Sequence, residues 1–295
     1  MRIGVGLPAA IPGCDATQLG EWAAIAESLG FSSLGVIDHL VYDNVEPIVA
    51  LAAAAGRTRR VELLTTVLNV PYRRNALVLA KQLASLDRLC GQRLTAGLGL
   101  GGWPEDHDAV GPTALALGKQ MDEMLLTMRR AWAGEFAGAS GPMPATPPGR
   151  PQLLFGGFSP AAYRRAAVMG QGWVAPSFGL EPLVSGITAV RSAWAAGGRQ
   201  GQARIVVERY FSLGPEAEAV ANRYLHHYYG DAYLQAIRAD TPTTAAHLRS
   251  ELERLRKVGC DDVVPLPCSA DLHQLEFLTE VLDATGFGVS QMAAA

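Results

Sequence analysis

Four times in this chain an amphipathic stretch ends at a glycine and a short β-rich run follows within about four residues. The joints are Leu29-Gly30 before Leu34-Gly35-Val36-Ile37, Cys90-Gly91 before Leu94-Thr95-Ala96, Met169-Gly170 before Trp173-Val174-Ala175, and Val258-Gly259 before Val263-Val264. Glycine is favoured just past a helix because that position often takes the left-handed conformation, which clashes with a Cβ. A short helix-to-strand link repeated in this way is the αβ joint of a parallel sheet. Completing the pattern gives eight strands: Ile3 to Leu7, Leu34 to Ile37, Val61 to Leu68, Leu94 to Leu98, Gln152 to Phe155, Trp173 to Ala175, Arg204 to Leu213 and Asp262 to Leu266. Between them, Leu19, Trp22, Ala26 and Leu29 share one helical face behind a possible Asp15/Gln18 capping pair, and Leu248, Leu252, Leu255 and Val258 share another.

Eight strands alternating with helices favour a (β/α)8 TIM barrel over a doubly wound sheet, which more often has about five to seven strands. A length of 295 residues suits one such α/β domain. The Gly/Pro-rich stretch from Gly134 to Arg150 reads as a flexible loop inserted within it, expected near the mouth of the barrel. Lys and Arg number 25 against 28 Asp and Glu, so a general nucleic-acid-binding surface is not expected. The four cysteines are scattered without a C-x-x-C spacing and read as reduced thiols of a cytoplasmic protein. The apolar amino end meets Pro8 too soon for a secretory leader, and no run approaches the roughly 20 apolar residues of a membrane span.

In a barrel the reacting groups sit just past the carboxyl ends of the strands. Those positions hold Asp38-His39, Thr65-Thr66-Val67-Leu68-Asn69, Gly97 to Asp106, and Gly156-Gly157-Phe158-Ser159-Pro160. Gly97 to Gly102 matches G-x-G-x-x-G, but Glu105, Asp106 and Asp108 at the following helix start would repel a pyrophosphate. These glycines then serve close approach of a flat ring or a neighbouring loop. Gly156 to Ser159 is the better anion site, with Ser159 equally able to be a plain helix cap; Arg164 and Arg165 either assist or are solvated. His39 is the acid/base candidate or a structural histidine. The remaining histidines show no metal spacing, so no metal is expected.

The order and spacing of several pieces together resemble the luciferase-like monooxygenases, the flavin- or deazaflavin-F420-dependent barrel oxidoreductases widespread in actinobacteria. The matching pieces are Ile3 to Pro8, Leu29-Gly30-Phe31 leading to Asp38-His39, Leu79 to Leu94, Gly97 to Asp106 with Gly111, Gly156-Gly157 with Pro160 and Arg164 to Ala167, and Gly259 to Pro267. The resemblance implies a cofactor ring at the ends of the third and fourth strands, its phosphate near Gly156 to Ser159, and His39 facing the ring. It places Asp38, Thr66, Val67, Gly99, Gly101, Gly156, Gly157, Phe158, Ser159 and Arg164 at the cofactor and a non-proline cis peptide around Thr66-Val67. It implies F420-dependent hydride transfer with a small organic substrate, with Arg73 and Arg74 either drawing in the acidic F420 tail or plain surface charge. The alternatives are an FMN-dependent monooxygenase using reduced flavin and oxygen, and a flavin-binding barrel without turnover. A homodimer, and a separate reductase supplying reduced cofactor, come with the family. Two departures stand out: Trp103 occupies a position that is small, polar or basic in many relatives, which narrows the pocket, and Pro112 to Lys119 lacks their arginine cluster.

Overall fold

The structure is a computed structural model that describes residues 1–111, 116–175, 177 and 179–288. The elements run β1 (Arg2–Ile3), β2 (Val5–Gly6), α1 (Leu19–Leu29), β3 (Ser33–Val36), α2 (Pro47–Arg57), β4 (Glu62–Asn69), α3 (Ala76–Leu89) and β5 (Leu94–Gly99). They continue with α4 (Pro104–Val110), α5 (Leu117–Trp132), β6 (Ala137–Gly138), β7 (Gly141–Pro142), β8 (Gln152–Gly156), α6 (Pro160–Met169), β9 (Gly172–Ala175) and α7 (Leu180–Ala196). The last are β10 (Arg204–Phe211), α8 (Ala217–Ala239), α9 (Ala245–Val258), β11 (Asp262–Pro267) and α10 (His273–Ala284).

The main sheet runs β1-β11-β10-β9-β8-β5-β4-β3-β2. Its paired strands are parallel. The two edge members are halves of one strand broken at Gly4, whose N–H still bonds the Val263 carbonyl at 2.9 Å while Ile3 accepts from Ser32 N at 2.8 Å. The sheet therefore closes through its first strand into the expected (β/α)8 barrel, each of the eight sequence-derived strands lying within one or two residues of its expected place.

Three of the four glycine joints work as left-handed caps: Gly30, Gly91 and Gly259 have φ of 94°, 67° and 90°. Gly170 is different, with extended backbone at φ −121°. It is glycine for space, since a Cβ there would lie 2.8 Å from the Phe155 ring. Asp15 accepts from Thr17 N at 2.9 Å and from the Gln18 side chain at 3.2 Å, capping the short turn that leads into α1.

The Gly134 to Arg150 stretch corrects an expectation. It joins α5 to β8, an α-to-β connection, so it lies at the amino ends of the strands and away from the mouth. It includes the β6/β7 hairpin, and Arg150 pairs with Asp87 while donating to the Leu94 carbonyl at 2.8 Å. A cavity of about 490 Å³ lies against it, lined among others by Trp132, Pro148 and Gln171.

Alternate strand residues face the lumen, so its contents can be read in layers. At the amino end Arg204 donates to Glu62 at 2.7 and 2.8 Å and to Asp262 at 2.8 and 3.0 Å, and Arg2 pairs with Asp262 at 2.7 Å. Burial pushes the Glu62 carboxyl up, but its bonds from Arg204 and Thr95 and the Arg2 charge hold it below the usual range. Above this ionic plug sits an apolar layer containing Leu64, Leu154, Val206 and Val264, all within 2% exposure of fully buried. The alternate residues Ile205, Val207 and Phe211 belong to the separate core between strands and helices. The lumen is thus filled at its amino end by the ionic plug and the apolar layer above it.

Candidate functional site

His39 lies just past β3 and is 4% exposed. Its ring is sandwiched between Tyr42 and Trp103, at centroid distances of 5.0 and 4.8 Å and interplanar angles of 8° and 10°, with Tyr228 edge-on at 5.4 Å. Nε2 stands 3.4 Å from both Glu105 and Asp106, and neither ring nitrogen makes a hydrogen bond. Asp106, fully buried, accepts from Leu40 N at 3.1 and 3.0 Å and from Val41 N at 2.7 Å. The acid in the first turn of α4 therefore clamps the loop that carries His39.

Asp38 turns the other way. Its carboxylate accepts from Asn69 N at 2.7 Å and pairs with Arg73, which also reaches Glu46 at 3.0 Å. Burial pushes the Asp38 carboxyl up despite the guanidinium beside it. Arg73 is therefore committed to an internal ion pair instead of being loop surface charge; Arg74 is the exposed member of the two. Asp38 and His39 do not pair although β3 ends at Val36; each faces its own partners, Asn69 and Arg73 for Asp38 and the α4 carboxylates for His39.

At the ends of β4 and β5 the Thr66–Val67 peptide is cis, at the position the resemblance implied. Thr66 Oγ1 donates to the Val36 carbonyl at 3.2 Å. Val67 wedges between two glycines: a Cβ at Gly99 would stand 2.5 Å from Val67 Cγ2, and one at Gly156 2.9 Å from Cγ1. A Cβ at Gly101 would collide with the Tyr72 hydroxyl, and one at Gly97 with the Thr65 carbonyl. Of the G-x-G-x-x-G glycines, Gly97 and Gly99 serve close packing, whereas a Cβ at Gly102 would meet open space.

Gly157, with φ of 111°, gives its carbonyl to Trp173 Nε1 at 2.9 Å. Ser159 accepts from Ala162 N at 3.2 Å, capping α6, whose first turn holds no acid. Phe158 is 38% exposed. Arg164 is exposed, whereas Arg165 donates to Asp122 at 2.6 Å and to the Gly118 carbonyl at 2.9 Å, holding α6 to α5. Of the segment noted for its missing arginines, residues 112–115 lie outside the described residues.

Two features were not singled out from sequence. Helix α8 brings Tyr224, Tyr228 and Tyr229 over the mouth beside Tyr210, and Tyr42 Oη lies 2.7 Å from His227 Nδ1. The i, i+4 spacing of Tyr224 and Tyr228 was the available signal. Glu208, 7% exposed, stands in the lumen layer above Val206. Its signal was an acid in phase with Val206 and Tyr210, on the face of the strand opposite Arg209.

A phosphate-bearing flavin or deazaflavin fits these residues at two points. The turn at Gly157 leads to an unacidic helix start, where backbone N–H groups favour an anion. At the same end the Tyr72 hydroxyl, both His39 nitrogens and Glu208 Oε1 are buried without hydrogen-bond partners, the kind of atoms a polar ligand satisfies.

A closed parallel barrel with titratable side chains gathered past the carboxyl ends of its strands has the layout of a barrel enzyme. Its family is shown by the model for luciferase-like monooxygenases, which matches residues 1–259; the chain belongs to that family. An uncharacterised protein of Mycobacterium tuberculosis is 34% identical over 182 residues, which is 52% of this chain and 62% of that protein's length. Among solved structures, a monooxygenase from Streptomyces bottropensis superposes with a TM-score of 0.77 at 24% identity, covering 96% of this chain and 99% of the other. An F420-dependent secondary alcohol dehydrogenase with an F420-acetone adduct superposes with a TM-score of 0.79 at 18% identity, covering 96% and 98%. These likenesses establish the fold.

Proposed function

We propose that this protein is an F420-dependent oxidoreductase acting on a small organic substrate at the carboxyl end of its barrel. The observation that carries the reading is His39: a buried imidazole with both nitrogens free of hydrogen bonds, set between two carboxylates, one strand from the Val67 wedge. Bound there, a reduced deazaflavin supplies a hydride. The chain supplies the rest. Backbone N–H groups from Gly157 to Ser159 and the start of α6 hold phosphate. Gly99 and Gly156, lacking Cβ atoms, let Val67 fill the floor beneath a ring. Asp106 fixes the loop of His39, and Nε2 holds or releases a proton towards the substrate. Tyr42, Trp103 and Tyr228 keep water from the imidazole.

The aromatic enclosure also favours a second reading, an FMN-dependent monooxygenase, because reduced flavin needs protection from solvent. Dialysis titrations against F420 and FMN separate the two. Retention of F420 with no FMN uptake supports the first reading, and the reverse supports the second. His39→Ala lowers turnover strongly under either; an unchanged rate would refute the role given to His39, and no turnover in the parent with either cofactor would leave a binding barrel without catalysis.

A further inference from the structure

Glu208 lies inside the barrel and takes no part in the proton handling assigned to His39. On β10 it pairs in register with Val264, one lumen layer above Val206. Burial pushes its carboxyl up to about 8, against the opposing influence of the Thr66 hydroxyl and Arg209. Arg209 offers it little, because that guanidinium points outward and donates to Glu251 of α9 at 2.7 Å. The titratable groups facing Glu208 from other elements are Tyr228 and Tyr229 of α8, both pushed upward themselves, and Tyr210 lies on its own strand. Oε1 has no hydrogen-bond partner, and a buried polar atom left in that state is costly.

Buried among phenol rings and apolar side chains, with only the Thr66 hydroxyl and the outward-pointing Arg209 to offset it, this carboxyl is shifted towards its neutral form. A neutral acid offers one strong O–H donor and tolerates no added negative charge nearby. We propose that Glu208 is the recognition group for an uncharged substrate bearing a carbonyl-type oxygen, held between the aromatic cap of α8 and the Thr66–Val67 floor, with Glu208 donating its hydrogen bond to that oxygen. The selectivity follows from the chemistry: a carboxylate in the same place meets the carboxyl's desolvated surroundings, and a hydrocarbon of the same shape leaves Oε1 unsatisfied. Trp103 and Tyr229, whose rings pack against each other at the same end of the barrel, are only half-buried. The inference rests on the barrel mouth being the reaction site, but not on which cofactor it uses.

Equilibrium dialysis of the full chain, without cofactor, tests it with acetophenone as probe, benzoate as its anionic counterpart and ethylbenzene as its acceptor-free counterpart. At about pH 6, acetophenone binds about tenfold more tightly than either counterpart, a difference of about 1.4 kcal/mol. Its preference over ethylbenzene declines by about pH 9.5. Glu208→Gln, which keeps a donor and does not titrate, retains the preference at both pH values; Glu208→Leu loses it. A preference that survives in Glu208→Leu, the same pH profile in Glu208→Gln as in the parent, or no acetophenone binding at all overturns the proposal. Ketone preference in a protein that takes up neither F420 nor FMN supports the Glu208 assignment while refuting the oxidoreductase reading.

Discussion

Replacing Asp106 by alanine removes the buried carboxylate of α4 that accepts hydrogen bonds from the backbone of the His39 loop. Three backbone contacts are lost, at 3.1, 3.0 and 2.7 Å, beside the 3.4 Å approach of His39 Nε2, but two of the three go to the same Leu40 N–H, so two backbone donors lose their acceptor. A hydrogen bond to a charged group contributes about 1.5 to 3 kcal/mol, and these donors are only partly buried, so the lower half of that range applies. The expected loss is about 3 kcal/mol, or roughly 5 to 10 °C in melting temperature for a chain of this size. Asp106→Asn keeps one carbonyl acceptor and loses about half as much. Thermal melts followed by circular dichroism give the numbers, with the exposed Asp108→Ala as control. His39 reports independently: its ring resonances broaden in Asp106→Ala as the loop loses its fixed position. A melt for Asp106→Ala that matches the Asp108→Ala control refutes the clamp.

Three further outcomes follow from the same geometry. Gly99→Ala places a Cβ 2.5 Å from Val67 and costs about 1 to 3 kcal/mol by overpacking, and adding Val67→Ala recovers much of it; denaturant midpoints of the double-mutant cycle check the coupling. Glu208 has a raised value in the folded state, so below the unfolded value of about 4.5 it costs nothing, and stability is lost as pH rises towards about 8. Glu208→Gln is therefore more stable than the parent by up to about 4 to 5 kcal/mol above that pH and equal to it near pH 4, read from denaturation at each pH. Glu62 has a depressed value, so its contribution is present at neutral pH and lost as pH falls below about 4.5, and Glu62→Gln flattens the acid limb of the stability profile.

The barrel was legible because its information is local. A glycine past a helix and a β-rich run mark each joint regardless of what packs around it, and Gly170 shows the limit: the residue was readable, but its reason, the Phe155 ring, is a tertiary contact. The Gly/Pro stretch was misplaced because composition does not say to which end of the barrel a loop belongs; only its position between α5 and β8 does. His39 and the turn at Gly157 could be named from strand ends alone. Arg73 could not be separated from surface charge, since its partners Asp38 and Glu46 are more than two dozen residues away. Glu208 and the α8 tyrosines were missed for the same reason: a single acid in a strand, or a Tyr-rich helix, acquires meaning only when the closed sheet places both over one floor.

Under the proposed function the carboxyl end of this barrel binds a phosphate-bearing deazaflavin beside His39. Equilibrium titration of the purified chain with F420 and, separately, FMN, read by cofactor fluorescence, addresses it directly. Saturable F420 binding at one per chain is expected, weakened at least tenfold in Gly157→Val, with FMN not retained. Retention of FMN alone, or F420 binding that Gly157→Val leaves unchanged, would contradict it.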